Sequence, residues 1–149
     1  MSVTYGAGGS TVGYSAALAK KVEDNGMPAL AHLTCVKADE AKLAEVLGQL
    51  QGFGVKNILA LRGDIPADMQ GEEIGSFAHA SELMRFVKQQ GDFCVGGAAY
   101  PEGHPESGSL EKDIENTKYK VDAGVDFLVT QMFFDNTILY NYMFRLLRA

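Results

Sequence analysis

Residues 57–66 read Asn-Ile-Leu-Ala-Leu-Arg-Gly-Asp-Ile-Pro. The apolar run Asn57–Leu61 stops abruptly at Arg62-Gly63-Asp64, and Pro66 forbids its continuation as a central strand. A buried strand that delivers a cation, a glycine and a carboxylate at its C-terminal end is how α/β folds build sites. The design recurs in four further apolar runs, Ser2–Tyr5, Ala29–Thr34, Phe93–Ala99 and Phe127–Gln131. Their starts lie roughly thirty residues apart, the length of one βα unit. The runs are continuous in apolar character, as expected of parallel strands covered on both faces.

Amphipathic stretches fill the intervals. Ser15–Asn25 carries Ala17, Leu18 and Val22 at helical spacing, with Gly26 as its C′ residue. Ala38–Gln51 places Leu43, Val46, Leu47 and Leu50 on one face. Ala80–Gln90 uses Leu83, Met84 and Val87 and stops at Gly91; Leu110–Ala123 uses Ile114 and Val121 and stops at Gly124. Asn136 is placed to cap a last helix from Thr137 to Arg148. Strict alternation predicts an α/β fold with a parallel sheet. Gly6-Ala7-Gly8-Gly9-Ser10-Thr11 begins like a dinucleotide fingerprint but has Thr11 where the third glycine belongs, so it reads as a flexible loop. Polar groups close every strand: Thr4, His32, Arg62 with Asp64, Tyr100 with His104, and Gln131. Supply from many successive strand ends suits a (β/α)8 TIM barrel better than a single crevice. Five units do not close a barrel, so the expected architecture is a partial one, with residues 1–149 its central portion.

The chain has 149 residues, a net charge of −6 and a pI near 5.0. An acidic chain without Lys/Arg clusters argues against nucleic-acid or anionic-membrane partners. No apolar stretch reaches membrane-spanning length and no signal peptide opens the chain. Cys35 and Cys94 sit inside apolar runs without metal-ligand spacing, and buried free thiols fit a cytoplasmic location.

Each candidate has a bland reading beside its functional one. Asp64 either caps the next segment or pairs with Arg62, or else aims a carboxylate at an amine-rich heterocycle. Arg62 is a solvated rim group or a donor to an anionic cofactor. His32 is a satisfied strand histidine or a site group. In Tyr100-Pro101-Glu102-Gly103-His104-Pro105-Glu106 two prolines bracket a histidine, forming a rigid turn that aims Tyr100 and His104. Gln131 offers a donor and an acceptor edge to a pterin-like ring, whereas Phe133 and Phe134 read as core and wall. Asp113, Asn116 and Lys120 share a helix face that is either solvated or turned to the site. Nucleophile and metal patterns are absent, which suits a reaction carried by a cofactor.

Six stretches carry a family resemblance: S-V-T-Y-G-A-G-G-S-T, H-L-T-C, L-A-L-R-G-D-I-P, A-A-Y-P-E-G-H-P-E, K-V-D-A-G-V-D-F and T-Q-M-F-F-D, in order and at family-like spacing. The chain resembles methylenetetrahydrofolate reductase, a flavoprotein with a (β/α)8 catalytic barrel, over essentially its whole length. The resemblance implies FAD at the C-terminal face of the strands. The matching contact positions are Thr4, His32, Arg62, Gly63, Asp64, Ala80, Tyr100, His104, Ser107, Asp113, Asn116, Tyr119 and Lys120. It implies that Asp64 contacts the folate and modulates the flavin, and that Gln131 binds substrate. His79 stands where many relatives have tyrosine, and Tyr119 where some have arginine. The implied activity is reduction of 5,10-methylenetetrahydrofolate to 5-methyltetrahydrofolate by NADH or NADPH through FAD, a step of one-carbon metabolism serving methionine biosynthesis. The family's general acid, a glutamate in an E-F-F-P-like motif, has no counterpart here. The chain is therefore expected to start at the second barrel strand, to lack the last two, and to turn folate over poorly by itself. Its unpaired barrel edges are expected to pair with a second copy. The alternative is a non-catalytic flavin- or folate-binding module or accessory subunit.

Overall fold

Apolar β-branched and leucine residues between two breakers make a short buried strand, and Asn57–Leu61 is one: Ile58, Leu59 and Ala60 are all buried. A computed structural model of the chain describes residues 1–4, 12–36, 38–64 and 75–149. Its elements in order are β1 (Ser2–Val3), α1 (Val12–Asp24), β2 (Leu30–Thr34), α2 (Glu40–Gly52), β3 (Asn57–Leu61), α3 (Ala80–Gln90), β4 (Cys94–Ala99), α4 (Leu110–Asp122), β5 (Phe127–Thr130) and α5 (Asn136–Arg148). The glycine-rich stretch 6–11 and Pro66 lie outside the described residues.

The strands form one parallel sheet in the order β1-β2-β3-β4-β5. An order that never reverses, joined by right-handed crossovers, lays every helix on the same side of the sheet. The sheet is thus a run of consecutive units of a (β/α)8 barrel, unclosed, as expected. A doubly wound sheet would reverse its order partway and carry helices on both faces.

Alternation along the strands separates the two faces. Ala31 and Leu33 of β2, Ile58 and Ala60 of β3 and Val95 of β4 face the helices. There they join Leu43, Val46, Leu47 and Leu50 of α2 and Leu83, Met84 and Val87 of α3 in one core. Leu30, His32 and Thr34 face the other way and are half-buried, so burial in β2 alternates. The expectation of strands covered on both faces is therefore corrected for β2, whereas in β3 the consecutive residues Ile58, Leu59 and Ala60 are all buried. Ala99, Ile114 and Tyr142 make a second, smaller cluster with Leu110, Leu128 and Leu146.

Two consecutive glycines fit β4 between its neighbours. A Cβ on Gly96 would lie 2.4 Å from the Phe127 ring, and one on Gly97 would lie 2.5 Å from Met84 Cε. Gly96 pairs with Leu59 and with Phe127, so the ring of β5 lies across the bare backbone of β4 inside the sheet. On the opposite side α3 sinks Met84 against Gly97.

Helix ends follow side-chain chemistry. Asp39 Oδ1 accepts from Ala41 N at 2.9 Å and Lys42 N at 3.3 Å, so α2 starts two residues after Ala38. Ser109 Oγ accepts from Lys112 N at 3.1 Å and caps α4. For α5 the cap is Asp135, which accepts from Thr137 N at 2.7 Å. Asn136 is already helical, a one-residue correction: Asp135 holds the extended backbone (φ −117°, ψ 115°) that a cap needs. Gly91 has φ 166° and ends α3 in extended backbone, with no left-handed turn.

Candidate active site at the C-terminal strand ends

The chain leaves β3 through a fixed hand-over. Cys35 N donates to Leu61 O and Arg62 O at 3.1 and 3.0 Å, and Val36 N donates to Arg62 O at 3.1 Å. These bonds carry the β2–β3 pairing past the strand ends. Gly63 then adopts φ 84°, and its Cβ position lies 3.1 Å from Thr34 Cβ and 3.2 Å from Val36 Cγ2. A side chain would face both left-handed strain and crowding there, so glycine turns the chain and leaves Asp64 exposed at the rim.

Arg62 reaches across to the loop after β4. Its Nη1 and Nη2 donate to Glu106 Oε2 and Oε1 at 2.6 and 2.7 Å, a two-point fork between residues 44 positions apart. That pairing holds the Glu106 carboxyl below the ordinary glutamate range. It also holds the Arg62 guanidinium up; burial opposes this, while Tyr100 and Asp64 add to it. Arg62 is therefore already balanced by an anion, which the bare sequence did not disclose.

The loop itself is built on Tyr100. Gly103 N donates to Tyr100 O at 2.9 Å, Ser107 N to His104 O at 2.9 Å and Glu106 N to His104 Nδ1 at 3.1 Å. The rings of Tyr100 and His104 meet edge-on, 4.6 Å between centroids. Burial pushes the Tyr100 hydroxyl pKa up, and the Asp113 charge adds to the effect.

Helix α4 contributes the buried polar part. Asp113 is 3% exposed and Asn116 and Lys120 are half-buried, so their shared face is turned toward the protein. Ser107 Oγ donates to Asp113 Oδ1 at 3.0 Å, and Asn116 Nδ2 donates to Ser107 Oγ at 3.4 Å. Asp113 Oδ2 is buried and unpartnered among the described residues. Lys120 Nζ donates to Ala98 O at 2.6 Å and lies 5.8 Å from the Tyr100 ring centroid. Burial pulls the Lys120 ammonium below the ordinary lysine range, and Asp113 opposes that.

The remaining candidates stand apart from this cluster. His32 is on the inner face of β2, where it shares a 2.9 Å hydrogen bond with Ser2 Oγ, and burial holds its imidazole pKa below the usual 6.5. Thr4 is exposed just past β1, and its carbonyl accepts from Ser15 Oγ at 3.1 Å. Ala80 is the first residue of α3, half-buried beside the core. Tyr119 is 52% exposed and makes none of these contacts. Gln131 is exposed past β5, tied by its backbone N–H to Ala99 O at 2.7 Å. Sequence reasoning overlooked Glu106 and Ser2. Glu106 was in view inside the proline-bracketed turn, but its partner appears only once β3 and β4 are known to be neighbours.

A cluster of cations, an unpaired buried carboxylate oxygen and an aromatic ring at the C-terminal ends of consecutive barrel strands defines a barrel enzyme's ligand site. The chain belongs to the methylenetetrahydrofolate reductase family, whose model matches residues 1–149. It is 43% identical over 145 residues to methylenetetrahydrofolate reductase 2 of Schizosaccharomyces pombe, covering 90% of this chain and 23% of that one. It is 39% identical over 136 residues to 5,10-methylenetetrahydrofolate reductase of Escherichia coli, covering 91% and 45%. The chain thus spans less than half the length of these curated relatives. Among solved structures, 2,3-dimethylmalate lyase, a PEP mutase/isocitrate lyase superfamily member, superposes with a TM-score of 0.66 at 13% identity, covering 97% of this chain and 54% of that one. Phosphoenolpyruvate phosphomutase from Streptomyces platensis subsp. rosaceus gives 0.57 at 14% identity, covering 80% and 44%. These two likenesses bear on the fold alone. No helix among the described residues is long and apolar enough to cross a membrane.

The residues fit a flavin. Asp113 Oδ2 is a buried acceptor lacking a donor, which a cofactor hydroxyl or N–H satisfies. Lys120 is a half-buried ammonium with a single hydrogen bond among the described residues, leaving donors for an electron-rich or anionic group.

Proposed function

We propose that this chain forms the flavin and folate wall of a barrel that reduces 5,10-methylenetetrahydrofolate to 5-methyltetrahydrofolate, with FAD as cofactor and NADH or NADPH as reductant. The observation that carries the reading is the Asp113–Lys120–Tyr100–His104 cluster, with its orphaned carboxylate oxygen, at the strand ends of a chain in this family. FAD, when bound, supplies the hydride relay from nicotinamide to the methylene carbon.

The side chains divide the remaining work. Asp113 accepts from a cofactor hydroxyl or N–H, and Lys120 meets its electron-rich portion. Asp64, exposed and free of ion pairs among the described residues, accepts from the amino edge of the pterin and sets the local negative charge. Gln131 presents an amide that donates and accepts at once, which suits a heterocycle with both kinds of edge. His32 stays neutral at physiological pH and acts as a hydrogen-bonding group of the wall. No residue of this chain is assigned the proton donor that opens the folate ring.

Purified protein tests the reading directly. A flavin absorbance band that bleaches anaerobically with NADH or NADPH is expected, with little or no return on adding the methylene folate, because the proton donor for ring opening is not assigned to this chain. Failure to take up FAD at saturating concentration would overturn the proposal. Bound flavin that no nicotinamide bleaches would favour the non-catalytic binding module.

A further inference from the structure

Glu106 has a claim on the site that neither the motif nor the family reading gives it. Its carboxylate closes the fork with Arg62 at the end of β3, while its own backbone N–H donates to His104 Nδ1 at 3.1 Å. An accepting Nδ1 leaves the proton of neutral His104 on Nε2, so the contact selects one tautomer. His104 then stands edge-on to Tyr100, and Lys120 lies over the Tyr100 ring. One line of contacts, Arg62–Glu106–His104–Tyr100–Lys120, therefore runs from β3 to α4, with Glu106 as its junction. The fork uses one N–H from each terminal nitrogen of Arg62 and leaves the other donors available for a ligand. It also cancels the charge that those donors would otherwise bring.

We infer that Glu106 is a positioning residue: it fixes Arg62 against the 100–109 loop and makes Arg62 meet the cofactor as a charge-compensated donor. The second half rests on the flavin reading above; the first rests on geometry alone. The competing description is an ordinary rim ion pair, since the Glu106 side chain is 60% exposed and that of Arg62 28%. The two descriptions separate by experiment.

In the full-length protein without flavin, amide hydrogen exchange across residues 100–109 is expected to quicken in Glu106→Ala and in Arg62→Ala. The double variant is expected to quicken no further, because both changes cut the same link. With flavin bound, Glu106→Gln exposes an uncompensated Arg62, so the flavin midpoint potential is expected to move positive, with Glu106→Asp between it and wild type. Flavin affinity in Glu106→Ala is expected to fall about 3- to 10-fold, the scale of a lost charge-assisted fork. Unchanged loop exchange in the single variants overturns the positioning role. An unmoved potential in Glu106→Gln overturns the charge compensation. If the wild type takes up no flavin, the functional reading falls, and the exchange measurement still decides whether Glu106 holds the loop.

Discussion

Cys35 and Cys94 show how position divides one residue type. Cys35 is fully buried at the end of β2, and its thiol is pushed up to about 12 by burial, with Glu82 adding and Arg62 opposing. Cys94 is half-buried on β4. With a thiol reagent at neutral pH, Cys94 is expected to react in the native protein and Cys35 only after unfolding; equal rates would refute the difference in access. At the same scale, Lys120→Met is expected to weaken FAD binding by about 10-fold, the cost of losing a half-buried charged donor. Fluorescence titration with FAD reads this out, and an unchanged affinity would remove Lys120 from the site. The strand end at Arg62-Gly63-Asp64 was legible in the sequence, because an apolar run that stops there exposes its chemistry locally. His32, expected to close β2, instead lies in its middle because the strand runs on to Thr34. Which of the site groups touch was not legible. The Arg62–Glu106 fork joins positions 44 apart, and the burial of Asp113 depends on how α4 rolls onto β4.

The elements are held at both faces and at their N-terminal ends. Gly96→Ala forces a methyl into the Phe127 ring and is expected to cost about 1–3 kcal/mol. Gly97→Ala meets the mobile end of Met84 and is expected to cost less; denaturant titration of the two variants gives the order, and equal losses would contradict it. At the start of β4 and β5, Asp126 Oδ2 accepts from Lys88 Nζ at 2.5 Å and from Val95 N at 2.6 Å, pinning α3, β4 and β5 together. The Lys88 hydrogen bond, then that of Val95, holds the Asp126 carboxyl below its ordinary value of 3.8. A depressed carboxyl contributes stability that is present above the unfolded value and is lost as pH falls through the folded one. Asp126→Asn is therefore expected to cost about 0.5–1 kcal/mol near neutrality, discounted for solvent screening. The gap to wild type should close as pH falls below 3.8; a gap constant with pH would rule out the ionised pin. The sequence located α3 to the residue, since Leu83, Met84 and Val87 end cleanly at Gly91. It missed the start of α5 by one because Asp135 and Asn136 are both good caps, and only the backbone at 135 decides between them.

Over the whole molecule, the inner and outer faces beyond β5 remain apolar and open. Val129 is 42% exposed and Phe134 94%, and on α5 Tyr140, Met143, Phe144 and Leu147 are all at least half exposed. An uncovered strand edge beside such a patch favours association. The 149 residues alone are therefore expected to self-associate at micromolar concentrations, and a strictly monomeric species by light scattering would contradict this. The parallel architecture was legible from the spacing of five apolar runs alone. The one-sided burial of β2 was not, because a run such as Ala-Leu-Ala-His-Leu-Thr is continuous in sequence and alternates only once one face is packed by helices. The strand order has a consequence for how such a chain is made. Each of β2 to β5 pairs with the strand synthesised just before it, so a segment leaving the ribosome finds its neighbour already made. Each pairing closes around a single helical crossover and none needs a strand made later, which favours stepwise folding from the N-terminal side. The strand order thus lets each unit serve as a template for the next as the chain is translated.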